Sequence, residues 1–180
     1  IAKLAAQQHN TKTQSEESGF FPLPEALIGE TSARVMSLRD GRKKMSKSDA
    51  SDFSRIHLTD DADQIAQKIK KAKTDAFPLP NDASELVQRP EAENLIAIYA
   101  ALCHKTKQEA VEEFAGKDFS SLKKVLTEVV IAEILPISKK IKELTAFPDY
   151  IEQVLHDGAE RASHLAEETM QQVREIVGYL

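Results

Sequence analysis

A chain of 180 residues, 41% hydrophobic and 29% charged, can fill one ordinary core or two small ones, which excludes disorder along its whole length. No apolar run approaches the roughly 20 residues needed to span a bilayer, and 6 glycines with 7 prolines exclude collagen and low-complexity scaffolds. The net charge of −5 argues against a general nucleic-acid coat, and Cys103, the single cysteine, excludes an intrachain disulfide and a multi-cysteine zinc site and suits a reducing compartment.

Ile1 to Asn10 reads as a helix already under way without a cap, which points to a piece of something longer and leaves any targeting signal unread. Thr11 to Gly19 is polar and turn-forming, and Phe20-Phe21-Pro22-Leu23-Pro24 is a connecting loop with apolar anchors. Arg34 to Leu38 has the pattern of a short strand ended by an Asp40-Gly41 turn. Gly41 to Asp52 lacks apolar periodicity and is expected to be a mobile loop. Between Arg34 and Arg55 seven basic residues face three acidic ones, a local charge of +4 in an acidic chain. Arg55 to Leu58 is expected to form a second extended stretch, and Thr59 with Asp60, Asp61 and Asp63 to open a helix.

From Thr59 the helical period takes over. Ile65 and Ile69 mark an apolar face, with Lys68, Lys70, Lys71 and Lys73 elsewhere around that helix. Phe77 to Asp82 breaks it. Pro90 suits the first turn of a second helix with the stripe Leu95, Ile98, Tyr99 and Leu102. Thr106 and Glu109 form a capping box for a third, carrying Val111 and Phe114 and closed by Gly116. A fourth starts near Asp118 and runs to Leu144 with a kink expected at Pro136. Pro148 opens a short helix with Ile151, Val154 and Leu155, and Gly158 is expected to separate it from a last helix bearing Ala159, Ala162, Ala166, Met170, Val173 and Val177. The fold class is therefore mainly α, with an α/β remnant before a junction at residues 55–60.

Lys44-Met45-Ser46-Lys47-Ser48 carries the chemistry. Two ammonium groups three residues apart, beside hydroxyls and free backbone N–H groups, can wrap a polyphosphate and neutralise its charge. A lysine- and serine-rich loop can also be a plain solvated turn, but a given window matches this string less than about once in a million at average composition.

The string KMSKS resembles the second signature of class I aminoacyl-tRNA synthetases. RVMSLRDGRKKMSKSD, SRIHLTDDADQIAQKIKKAKTD, RPEAENLIAIYAAL and DGAERASHLAEETMQQVREIVG resemble the bacterial-type tryptophanyl branch, with the tyrosyl branch a close structural relative. The resemblance covers nearly the whole chain. It implies that residues 1–58 are the C-terminal end of a Rossmann α/β catalytic domain, including the KMSKS loop, and that 59–180 form an α-helical, anticodon-binding tRNA domain. The HIGH-like first signature, the ribose motif and the amino-acid pocket have no counterpart here, so the chain corresponds to roughly the C-terminal half. The stretch between His9 and Phe21 also departs from the family in lacking an Asn-x-Tyr-Gly run.

By that resemblance, the KMSKS loop closes on ATP while the tryptophan carboxylate attacks the α-phosphate, and the adenylate then passes to tRNA(Trp). Lys44 and Lys47 would stabilise charge on the pyrophosphate with Mg²⁺. Ser46 and Ser48 would hold loop and phosphates, and the backbones of Val35 and Met45 would lie against adenine. The resemblance also implies a cytoplasmic homodimer without a membrane anchor. The alternatives are a tyrosyl-type enzyme and a non-enzymatic helical RNA-binding module.

The other candidates carry less. His9, His57, His104, His156 and His164 match no metal-ligand spacing and read as surface or interface residues. Cys103 beside His104 reads as a small buried residue, because helix neighbours point about 100° apart. The lysines from Lys68 to Lys73 offer either a tRNA phosphate contact or a solvated face, and Lys123, Lys124, Lys139, Lys140 and Lys142 give the fourth helix a basic surplus.

Overall fold

The computed structural model describes residues 20–21, 24–27 and 34–179. The chain divides into two compact units, Ile1–Ala33 and Arg34–Leu180. In the first, the rings of Phe20 and Phe21 meet edge to face with centroids 4.6 Å apart. The helix expected over Ile1 to Asn10, the polar stretch after it and His9 lie outside the described residues.

The second unit opens with a hairpin in which β1 (Met36–Ser37) pairs antiparallel with β2 (Asp40–Lys44). Met36 faces Lys44 and Ser37 faces Asp40, with a register irregularity between them. The turn therefore falls at Leu38 and Arg39 rather than at Asp40-Gly41, and Gly41 to Lys44 are strand rather than mobile loop. The reason is tertiary. Gly41 is buried against the start of a helix, where an added Cβ would lie 2.5 Å from the carbonyl carbon and oxygen of Pro90. Only glycine permits that approach. Asp52–Ser54 forms a single 3-10 turn, and Arg55 after it is extended but joins no sheet among the described residues. Arg55 thus opens the expected extended stretch without pairing as a strand. Ser54 instead offers its carbonyl to the Leu38 N–H at 2.9 Å.

Helices make up nearly all the rest. α1 (Ala62–Lys70) starts two residues later than expected, because Asp61 rather than Thr59 caps it. The Asp61 carboxylate accepts from the Gln64 N–H at 2.8 Å and the Gln64 side chain accepts from the Asp61 N–H at 2.9 Å, so two otherwise orphaned donors are satisfied reciprocally. The proline-rich break leads into a 3-10 segment, Ala83–Gln88, with its own box between Asp82 and Glu85. α2 (Pro90–Leu102) has Pro90 in its first turn and buries Ala92, Asn94, Leu95, Ile96, Tyr99 and Ala100, more than one stripe, because β2, α3 and α4 all pack on it. α3 (Lys107–Phe114) begins at the Thr106–Glu109 box and is followed by Gly116 at φ 68°.

α4 (Phe119–Thr145) is capped by Asp118 and stays helical through Pro136. α5 (Pro148–Val177) is one helix, not two. Glycine in a helix interior costs only about 1 kcal/mol, too little for Gly158 to break a helix of 30 residues. The core gathers Leu38, Ile65, Ile69, Leu86, Leu95, Ile96, Tyr99, Val111, Phe114, Leu122 and Leu126 from the hairpin, the 3-10 segment and α1 to α4. None of the described α5 residues is buried. No described helix is long and apolar enough to cross a membrane.

Candidate functional site

The basic loop is held at both ends by helices. At its amino-terminal end the Asn94 side chain, on α2, acts as a substitute strand. Its Oδ1 accepts from the Met36 N–H at 2.9 Å, and its Nδ2 donates to the Met36 carbonyl at 2.9 Å and to the Ser37 carbonyl at 3.4 Å. Both backbone polar groups of the half-buried Met36 are thereby satisfied by one side chain. Arg39 donates through Nη1 to the Lys71 carbonyl at 2.9 Å, and the Lys73 N–H donates to the Leu38 carbonyl at 2.7 Å, so the end of α1 closes over the hairpin turn.

Within the loop, the Met45 N–H donates to the Val35 carbonyl at 3.1 Å, which brings together the two residues expected to share one backbone surface. Met45 is half-buried and packs on the core, whereas Val35 is exposed. Ser46 and Ser48 lie with hydroxyl oxygens 3.1 Å apart, the Ser48 N–H donates to Ser46 Oγ at 3.4 Å, and the Asp49 N–H donates to the Ser46 carbonyl at 3.4 Å. A tight turn results, with Lys47 at its tip. Lys44 ends β2 and is exposed, as is Lys47, and among the described residues neither has an acidic partner. The neighbouring Lys43 does have one, Asp40 at 3.5 Å. All six sequence-assigned site residues, Val35, Lys44, Met45, Ser46, Lys47 and Ser48, thus belong to one hairpin end and its turn.

The carboxy-terminal end is fixed by residues that the motif did not single out. Arg55 donates through Nη1 to the carbonyls of Asp49 and Ser51 at 3.0 and 3.2 Å. Asp52 accepts from Lys68 Nζ at 2.8 Å and pairs with His57 Nε2 at 2.8 Å. Its carboxyl is lowered from 3.8 to about 2, first by the Lys68 hydrogen bond and then by that of His57. Lys68 also meets Asp60 at 2.7 Å and is 4% exposed, so it is neither on a solvated face nor available to an RNA phosphate. Its position was legible in the stripe: Ile65, Lys68, Ile69 and Ala72 follow i, i+3, i+4, i+7, and a lysine in such a stripe demands a buried partner. Asn94, next to Leu95 on the buried face of α2, carried a similar signal. Arg55 carried none, because the carbonyls of Asp49 and Ser51 that it gathers are placed by the turn.

The remaining lysines divide. Lys71 lies 4.2 Å from the Phe53 ring centroid, Lys73 pairs with Glu91 at 2.9 Å, and Lys70 is exposed. Lys123 is not a free surface cation: its Nζ donates to the Lys70 and Ala72 carbonyls at 3.0 and 2.7 Å at the end of α1, and burial lowers its pKa. Lys140 pairs with Glu143, while Lys124, Lys139 and Lys142 are exposed. Cys103 is half-buried at the end of α2, and among the described residues no group of three His, Cys, Asp or Glu side chains could hold a metal.

Comparison with known proteins gives the family. A family model described as tRNA synthetases class I (W and Y) matches residues 2–135. A tryptophan–tRNA ligase of Brucella melitensis biotype 1 is 53% identical over 180 residues, 100% of this chain and 51% of that protein. One from Agrobacterium fabrum is 51% identical over 161 residues, 89% and 46% of the two chains. The crystal structure of the tryptophanyl-tRNA synthetase of Mycoplasma pneumoniae superposes with a TM-score of 0.79 at 25% identity, covering 98% of this chain and 53% of that one. That of Campylobacter jejuni complexed with ADP and tryptophan gives 0.61 at 25% identity, covering 98% and 52%. The chain therefore spans about half the length of the relatives it matches. With a basic turn of this form held between helices, and with three quarters of its length matched by the family model, the chain belongs to the class I tRNA synthetases of the tryptophan and tyrosine type.

Proposed function

We propose that this chain is the C-terminal half of a tryptophan–tRNA ligase, which joins tryptophan to ATP as tryptophanyl-adenylate and transfers it to tRNA(Trp). One observation carries the reading: Lys44 and Lys47 stand exposed and without acidic partners on a serine-closed turn whose two ends are clamped to helices. A turn of that form fits a triphosphate. Cations already neutralised by carboxylates, such as Lys43, could not serve it as well.

In this reading the tryptophan carboxylate attacks the α-phosphorus and the bond to the bridging oxygen breaks, leaving charge on pyrophosphate. Lys44 and Lys47 stabilise that charge, the Ser46 and Ser48 hydroxyls hold the turn against the phosphates, and the paired backbones of Val35 and Met45 form the adenine side. Mg²⁺, when bound with the nucleotide, would share with Lys44 and Lys47 the neutralisation of the phosphate charge, and no cluster of His, Cys, Asp or Glu among the described residues would hold it. Catalysis is positioning plus electrostatics, and no nucleophilic side chain is required.

The division at residues 55–60, with 1–58 as the end of a Rossmann domain and 59–180 as the anticodon-binding helices, belongs to the same proposal, as do the homodimer and the cytoplasmic location. Amino-acid-dependent pyrophosphate exchange on the full-length protein tests it. Exchange with tryptophan and not tyrosine is expected, and the reverse would assign the tyrosyl branch. The 180-residue chain expressed alone is expected to show no exchange, because positioning worth about 7–11 kcal/mol requires the partner half of the site. Exchange by the purified 180-residue chain, free of host enzyme, would refute that division of labour.

A further inference from the structure

Lys68 is a buried cation with two carboxylate partners of opposite character. Asp60 is itself buried, its side chain 6% exposed, and its Oδ2 also accepts from the His57 N–H at 2.9 Å. This partner is fixed and neutralises Lys68 permanently. Asp52 has a side chain 58% exposed and lies in the 3-10 turn that ends the basic loop. It can turn toward water and leave Lys68 still paired with Asp60, so the large cost of an uncompensated buried charge does not arise. The Asp52–Lys68 bond is a contact that can be broken and remade, between the loop and a helix of the core.

We propose that Lys68 is a positioning residue for adenylate formation: through Asp52 it anchors the carboxy-terminal base of the KMSKS loop to α1, so that the turn bearing Lys47 swings from a fixed base. The inference rests on the functional reading above and deepens it. Arg55 completes the base by gathering the Asp49 and Ser51 carbonyls, and its own Nη2 lies 3.5 Å from Asp52. With Asn94 of α2 at the other end, both bases of the loop are tied to helices that follow the junction at residues 55–60. A shift of α1 is therefore transmitted to this base of the loop through the Asp52–Lys68 pair, beside the contact of Lys71 with the Phe53 ring in the same turn. This gives the helical part of the molecule a physical route to the phosphate chemistry.

The test is Asp52→Ala in the full-length protein, which removes the loop side of the bond and leaves the Lys68–Asp60 pair intact. Adenylate formation in single-turnover kinetics should slow by about 10- to 100-fold, the scale of a misplaced catalytic group. KM for tryptophan should stay unchanged. Amide hydrogen exchange over residues 49–54 should accelerate by about tenfold or more, while α1 keeps its protection. Asp52→Glu should restore most of the rate, since the carboxylate still reaches Lys68. Unchanged exchange over 49–54, or accelerated exchange with an unchanged rate, overturns the positioning role. Lys47→Ala run in parallel separates the two readings. If it slows the reaction while Asp52→Ala does not, the loop reading stands and the anchor is refuted. If Lys47→Ala is also silent, the loop is not catalytic and the anchor's role in catalysis falls with it.

Discussion

The tip and the base of the basic loop are a few residues apart and physically opposite. At the tip, Lys47 is exposed and its surroundings are serine hydroxyls. At the base, Asn94, Arg55, Asp52 and Lys68 leave hardly a polar group without a partner. A side chain that must meet a transient charge is best left unpaired, since any carboxylate beside it would already take up its field. The residues that aim it are best fully satisfied, because a loose base spreads the tip over many positions. Charge at the tip and hydrogen bonds at the base are therefore separate requirements, and substitutions should separate them.

The largest expected effect is at the tip. Lys47→Ala in the full-length protein should slow adenylate formation by about 10²–10³, the scale of losing an oxyanion donor, with tryptophan affinity unchanged. Lys47→Arg should rescue only in part, because a planar fork does not replace a compact charge. Loss below about threefold in single-turnover kinetics would mean that the tip has no catalytic charge to give. Neither variant should alter the unfolding midpoint.

At the base the order reverses. Asn94→Ala strands the N–H and carbonyl of Met36 and should lower stability by about 1–3 kcal/mol, read as a shift in the urea midpoint at constant slope. If that variant kept full stability, water would be replacing the clamp and the distinction between tip and base would weaken. The acid limb of stability provides a third measure. Asp52 and Asp118 are both lowered from 3.8 to about 2, Asp52 chiefly by Lys68 and Asp118 chiefly by the Ser121 hydroxyl. A carboxyl lowered in the folded state contributes stability that is complete above its unfolded value. That contribution should be lost as pH falls from about 4 toward about 2. Asp52→Asn should flatten this limb by lowering stability at pH 7 while leaving it unchanged at about pH 2, and the loss should be modest because the pair is largely exposed on the Asp52 side. The smallest effect belongs to a cap far from the loop. Asp118→Ala should cost about 1 kcal/mol in the same denaturation assay and leave the rate of adenylate formation untouched.

Local chemistry accounts for what was legible without coordinates. Capping boxes at Thr106, the Asp118 cap, Pro90 in a first turn and the buried positions Ile65, Ile69, Leu95, Tyr99, Val111 and Phe114 all follow from neighbours within about one helical turn. The turn over Lys44 to Ser48 was legible as a unit for the same reason, since it is a short local arrangement of charge and backbone. Gly158 was misread because a single glycine's local preference is weak beside the cooperativity of a long helix. The span of β2, the closeness of Gly41 to Pro90 and the identity of the partners that Asn94 and Lys68 find were decided by the tertiary structure alone. Each joins residues distant in sequence or depends on what packs around them. A residue's propensity reports its own backbone and its near neighbours, whereas the partner of a buried polar group is chosen by which elements the whole core brings within about 3 Å of it.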